Sequence, residues 1–140
     1  MGAAESKTIG RRFMEEVIGQ GDWDLGAEIV SQDVVMIHPS SPQPVAGLEA
    51  VKGMLLGFRA GLPDMTMTVE DAIGEDDRAV ILWRLRATHT ADLFGLPPTG
   101  KRVEMPGVSI FRVTDGKVVH DIVSEDTMGL MRQLGVIPEG

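Results

Sequence analysis

The chain has 140 residues, 43% of them hydrophobic, and a net charge of −8 at neutral pH, which is enough apolar material for a buried core and too much for extended disorder. The absence of cysteine removes disulfides, thiolate chemistry and cysteine-bound zinc, and an acidic surface without a basic stripe argues against a nucleic-acid partner. The apolar runs are short, as at Val34–Ile37 and Ala79–Trp83, and Glu5, Lys7, Arg11 and Arg12 interrupt the N-terminus, so neither a membrane span nor a signal sequence is expected and the cytoplasm is the expected location.

The first predicted helix places Ile9, Phe13, Val17 and Ile18 on one face and ends at Gly19 and Gly21. Asp22 is placed to cap a second short helix, with Trp23, Ala27 and Val30 on its apolar side. A β-branched strand follows over Asp33 to His38 and stops at Pro39, which holds the preceding residue extended. After a proline-rich loop over Ser40 to Ala46, a third helix carries Val51, Met54, Leu55, Phe58 and Leu62 on one face up to Pro63.

The second half alternates with the period of strands. Met65, Met67 and Val69 alternate with Thr66, Thr68 and Glu70, and Gly74 to Asp77 reads as a polar turn. Further strands are predicted over Ala79 to His89, Val103 to Val113 and Lys117 to Asp126, the last two joined by Asp115-Gly116, the strongest hairpin signal in the chain. Met128 to Gln133 forms a final helical turn ending at Gly135. The order predicts an α+β protein of one domain over residues 1–140, in which a curved antiparallel sheet is covered on one face by three helices and closes around a pocket.

The candidate site residues come from strand parity. Asp126 shares a face with Val118, His120, Ile122 and Ser124. If that face is the inner one, burial makes Asp126 a general acid/base and Ile122 a wall residue; otherwise Asp126 caps the final helix. His89 shares a face with Ile81, Trp83, Leu85 and Ala87 and either relays a proton or holds the Gly95 to Gly100 loop. His38 ends its strand on the Val34 and Met36 face, at the pocket mouth or in a structural hydrogen bond. Phe58, Trp83 and Phe111 are expected to converge on the pocket among the nine methionines, which suit an irregular apolar ligand or simply fill gaps. His120 is assigned to the rim, Arg112 has no assigned role, and Arg84 and Arg86 point outward. The three histidines lack ligand spacing, so no metal is expected.

Thr88-His89, the run from Gly95 to Lys101, Asp115-Gly116-Lys117-Val118, Asp126 and Gln133-Leu134-Gly135 together resemble the SnoaL-like polyketide cyclase family. The resemblance implies the cone-shaped nuclear-transport-factor-2-like (NTF2-like) fold, a homodimer through the convex sheet face, and no cofactor. It implies intramolecular aldol closure of an aromatic polyketide ester, with Asp126 at the position of the family's acid/base and His89 and His38 as polar contacts. The chain departs from the family pattern at Ile122, where many members carry Trp, at Glu125, often aromatic, and at Phe111 and Arg112, near which some cyclases carry a second His. With no Tyr or Asn, it lacks the oxyanion-hole Tyr of ketosteroid isomerases and the water-positioning Tyr and Asn of the fold's epoxide hydrolases. The expected activity is therefore cofactor-independent acid/base chemistry on a small hydrophobic carbonyl compound, with a non-catalytic binding protein for a hydrophobic metabolite as the alternative.

Overall fold

The computed structural model describes residues 2–138. The first helix, α1 (Ala3–Arg12), continues without a break into a π-helical turn, Phe13–Ile18. The wider turn adds a residue per revolution and buries Phe13, Met14, Val17 and Ile18 together, adding Met14 to the predicted face. Asp22 caps α2 (Trp23–Ile29) by accepting the Leu25 N–H at 3.1 Å. The buried side of α2 is Leu25, Gly26 and Ile29; the predicted Ala27 is exposed, because Leu25 and Ile29 at i, i+4 bury more apolar area than Ala27 could.

The remaining elements are β1 (Val30–Ile37), β2 (Val45–Ala46), α3 (Leu48–Gly61), β3 (Thr66–Glu75), β4 (Arg78–Thr88), β5 (Arg102–Thr114), β6 (Lys117–Glu125) and α4 (Thr127–Gln133). They form one curved sheet in the order β2-β1-β6-β5-β4-β3. Every pairing is antiparallel except β1 with β6, so the predicted antiparallel sheet is mixed at this one joint. The pairing is parallel because α3 and the β3–β5 meander lie between the two strands in sequence, long enough to return the chain in the same direction.

Both hairpins depend on residues that tolerate positive φ. Asp115 (φ 51°) and Gly116 (φ 75°) form the predicted tight turn between β5 and β6. The β3–β4 turn is narrower than Gly74 to Asp77, since Gly74 pairs with Ala79 inside the ladder. A side chain at Gly74 would come within 2.7 Å of the Ala3 carbonyl oxygen, so the glycine serves close packing of α1.

The helices cover the concave side of the sheet, where Ala79, Ile81, Trp83, Leu85 and Ala87 of β4 are buried. Arg59 of α3 ties down the end of the first helix by donating to the Ile18 and Gly19 carbonyl oxygens at 2.9 and 2.6 Å. On the convex side Arg84 and Arg86 pair with Glu70 and Glu104 at 3.2 and 3.1 Å, the outward placement expected from alternation. No helix among the described residues is long and apolar enough to cross a membrane.

Candidate functional site

The site is decided by one extra residue in β6. Arg112 pairs with His120, yet the next partners are Val113 and Val118, so Val119 is a β-bulge. A bulge inserts one unpaired residue and reverses the parity of everything beyond it. Val118 faces the core, and after the bulge the inward residues are Asp121, Val123 and Glu125. His120, Ile122, Ser124 and Asp126 are turned the other way.

Asp126 is accordingly exposed and outside the cavity. Its carboxylate accepts the Gly129 N–H at 2.9 Å as the N-cap of α4, the capping arrangement rather than the acid/base one. Ile122 lies 41% exposed on the convex face, in a groove with Arg78, Ile110, Arg112 and His120; it is not a wall residue, and His120 is not at the pocket rim. Phe111 also departs from expectation. It faces inward but is fully buried against Phe13, edge to face at 5.5 Å, outside the cavity wall, because α1 descends onto it where Gly10 leaves room.

The inward set faces an apolar chamber lined by Met14, Met36, Met65, Met67 and Met105, with Phe58, Trp83, Leu85 and Val123. Trp83 lies against Gly107, where any Cβ would overlap the indole ring, and its Nε1–H donates to Ser109 Oγ at 3.0 Å. The chamber encloses about 40 Å³, space for a water or two. A second cavity of about 490 Å³ adjoins it, lined by Ser40, Met54, Leu93, Phe94, Leu96, Thr127, Leu130, Met131 and Val136. Phe58 and Glu125 belong to both walls. The outer cavity falls within the roughly 300–1,000 Å³ range of small-molecule sites, and flexible methionines can yield for a ligand reaching inward.

Asp121 sits at the inner end, 1% exposed, and its Oδ1 has no hydrogen-bond partner. Burial in this apolar wall raises its pKa well above the ordinary carboxylate value, because water is withdrawn and no cation replaces it. Burial thus favours the protonated form, in which the group can donate a hydrogen bond.

His38 lies nearer the mouth, tilted against Phe58 at 5.6 Å. The Ser40 N–H donates to its Nδ1 at 3.2 Å, and Ser40 Oγ lies 2.7 Å from the same atom. An N–H can only donate, so Nδ1 is the acceptor and the ring proton is on Nε2. That proton faces Glu125 Oε1 at 3.1 Å. His38 therefore occupies the cavity wall and makes the structural hydrogen bond as well.

His89 is buried but lines neither cavity. Its Nδ1 accepts the Thr99 N–H at 3.2 Å, and its backbone pairs with Gly100 and Lys101. It holds the Gly95 to Gly100 loop, whose Leu96, with the preceding Leu93 and Phe94, walls the outer cavity. Sequence reasoning missed Asp121 and Ser109, and met Glu125 only as a departure from the family pattern. The available signal was a carboxylate between His120 and Ile122 in a largely apolar strand, two residues beyond the Val118-Val119 pair.

A sequence model of the SnoaL-like polyketide cyclases matches residues 8–134. The chain belongs to this family. Its fold is close to that of a provisionally assigned SnoaL-like polyketide cyclase from Jannaschia sp. CCS1, with 25% identity, a TM-score of 0.87 and coverage of 97% of this chain and 95% of that one. IdmH of Streptomyces antibioticus, provisionally a polyketide cyclase, shares 29% identity at a TM-score of 0.80, over 94% and 98% of the two chains. AclR of Streptomyces galilaeus, provisionally a hydroxylase, shares 27% identity at 0.85, over 99% and 85%. No curated protein matches significantly. With a provisional hydroxylase among the similar structures, the fold of this SnoaL-like chain does not by itself fix the reaction.

With Asp126 as a cap, Asp126→Ala in this SnoaL-like chain is expected to cost about 0.5–2 kcal/mol of stability. Thermal denaturation beside a ligand-binding assay checks this: binding should survive, and its loss in a folded variant would return Asp126 to the site.

Proposed function

We propose that this SnoaL-like chain carries out acid/base chemistry of the polyketide-cyclase type, an intramolecular aldol closure, on a neutral hydrophobic carbonyl compound. The observation that carries the reading is Asp121, a buried carboxyl group whose Oδ1 has no partner, at the inner end of an apolar chamber. Aldol closure moves a proton from carbon to a carbonyl oxygen. A carboxyl group held neutral by burial donates to that oxygen as negative charge develops there. Neither cavity wall contains Lys or Arg, so the site has no counterion for an anionic substrate, whereas an ester or ketone enters without that cost. Phe58 and Trp83 supply flat apolar walls for a ring system.

The test is a thermal-shift screen with polycyclic aromatic esters, ketones and steroids, followed by product analysis for each stabilising compound. Ligand that binds only the folded state raises the melting temperature. Consumption of one of these compounds, lost on replacing Asp121, is the expected result. Stabilisation with every ligand recovered unchanged would instead make the chain a binding protein.

The reading includes a homodimer through the convex face. Ile37, Ile122, Ile110, Val80 and Ile73 are successive register partners across β1, β6, β5, β4 and β3. The four isoleucines are each 39–56% exposed. A continuous apolar row on an uncovered sheet face is the pattern of a two-fold, self-complementary contact. Ile110→Asp is expected to halve the mass seen by sedimentation, to that of one 15.1 kDa chain. A wild-type protein sedimenting at 15.1 kDa would refute the dimer.

A further inference from the structure

Asp121 accounts for the proton delivered to oxygen but not for the one taken from carbon. We propose that Glu125 is a general base for carbon acids, held in place by His38 and serving both cavities. The inference deepens the reading above and rests on it for the role of Asp121.

The side chains of Glu125 and His38 are 6% and 3% exposed, so they meet the cavities and little bulk water. The geometry at His38 settles the direction of the hydrogen bond. Its Nδ1 is occupied by the Ser40 N–H, the ring proton is on Nε2, and Glu125 Oε1 is the acceptor. Among the described residues Glu125 Oε2 makes no hydrogen bond, so one oxygen is fixed by the imidazole and the other remains a free base on a shared cavity wall.

Glu125 and Asp121 thus divide the work through their surroundings. Asp121 is deep and its Oδ1 has no partner, whereas Glu125 is nearer the mouth and one of its oxygens is held by His38. Four residues of strand separate their Cα atoms by about 13 Å, room for a ring system whose carbonyl oxygen meets one group while a C–H meets the other. The proton gained at Oε2 matches the one given up by Asp121, so the cycle needs no co-reactant. His38 is a positioning residue, orienting the carboxylate through Nε2, and Ser40 fixes its tautomer.

The probe is 5-nitrobenzisoxazole, a neutral bicyclic compound small enough for the outer cavity and without a carbonyl for Asp121 to protonate. A base takes the C3–H proton of its isoxazole ring; the C–H electron pair becomes part of a nitrile, the N–O bond breaks, and the ring opens to a coloured cyanonitrophenolate that holds the charge on its oxygen. The protonated carboxyl then returns its proton to solvent. Saturable elimination above the acetate-buffer rate is expected. Glu125→Gln should lower kcat by on the order of 100-fold or more, and Glu125→Asp, which keeps the charge but withdraws it by one methylene, should recover part of it. His38→Gln should lower kcat while KM changes little, and Asp126→Asn, on the outside of the sheet, should match wild type. Melting temperatures verify folding of each variant, and Glu125→Asp keeps the test open if the Gln variant is unstable. Wild-type elimination no faster than buffer, or full activity in folded Glu125→Gln, would overturn the assignment. Activity surviving there but lost in Asp121→Asn would move the base to Asp121 and leave the carbonyl reading standing. Loss of cyclase turnover with elimination retained would do the reverse.

Discussion

Asp121→Asn is expected to lower turnover of any carbonyl substrate by about two to four orders of magnitude, the usual contribution of a general acid/base group, while ligand binding survives. Asn keeps the shape and can still donate a hydrogen bond, but it cannot give up a proton. The same substitution has a signature that needs no substrate. Burial raises the Asp121 pKa in the folded chain, so between the ordinary carboxylate value and that raised value the folded state binds more protons than the unfolded one. Stability then falls as pH rises through this window, with a slope of up to about 1.4 kcal/mol per pH unit from this group. Below the window the contribution is fully present. Asn does not titrate, so the variant should lack this slope and gain on wild type as pH increases. Thermal melts from about pH 4 to about pH 8 for both proteins decide the matter. Parallel curves would mean that Asp121 is not held neutral, and the acid role would fall with it.

Phe111→Ala is expected to have the largest effect on stability, a loss of about 3–5 kcal/mol. The ring is fully buried, meets Phe13 edge to face at 5.5 Å with planes at 74°, and lies beneath Gly10 of α1. Removing it opens a cavity that the rigid sheet cannot close. Against a total of roughly 5–15 kcal/mol for a domain, the melting temperature should fall by about 10–20 °C. Denaturant unfolding measures the loss directly. A small loss accompanied by weakened ligand binding would instead put Phe111 in the cavity wall, as strand alternation had suggested.

The two residues show how far local rules carry. Phe111 and Asp121 are register partners on the concave face, yet only the first was legible from alternation. β5 keeps an unbroken two-residue period from Val103 to Val113. β6 breaks its period at Val119, and the break belongs to a pairing between two strands, not to the composition of either. From a single strand, Asp126 and Ile122 occupy the continuing face; in the sheet, Asp121 and Glu125 do.

The sequence by itself determined the α+β order of elements, the Asp115-Gly116 turn, the outward arginines of β4 and the cap at Asp22. Each of these depends on backbone preferences and side-chain periods over a few neighbouring residues, and those are written locally. Only the tertiary structure decided which carboxylates face the chamber, that His89 secures a loop while His38 meets Glu125, and that α1 fills the space beside Phe111. Those outcomes depend on register, on a bulge and on close packing between segments as distant as His38 and Glu125, 87 residues apart in the chain, where one inserted residue redirects every side chain after it.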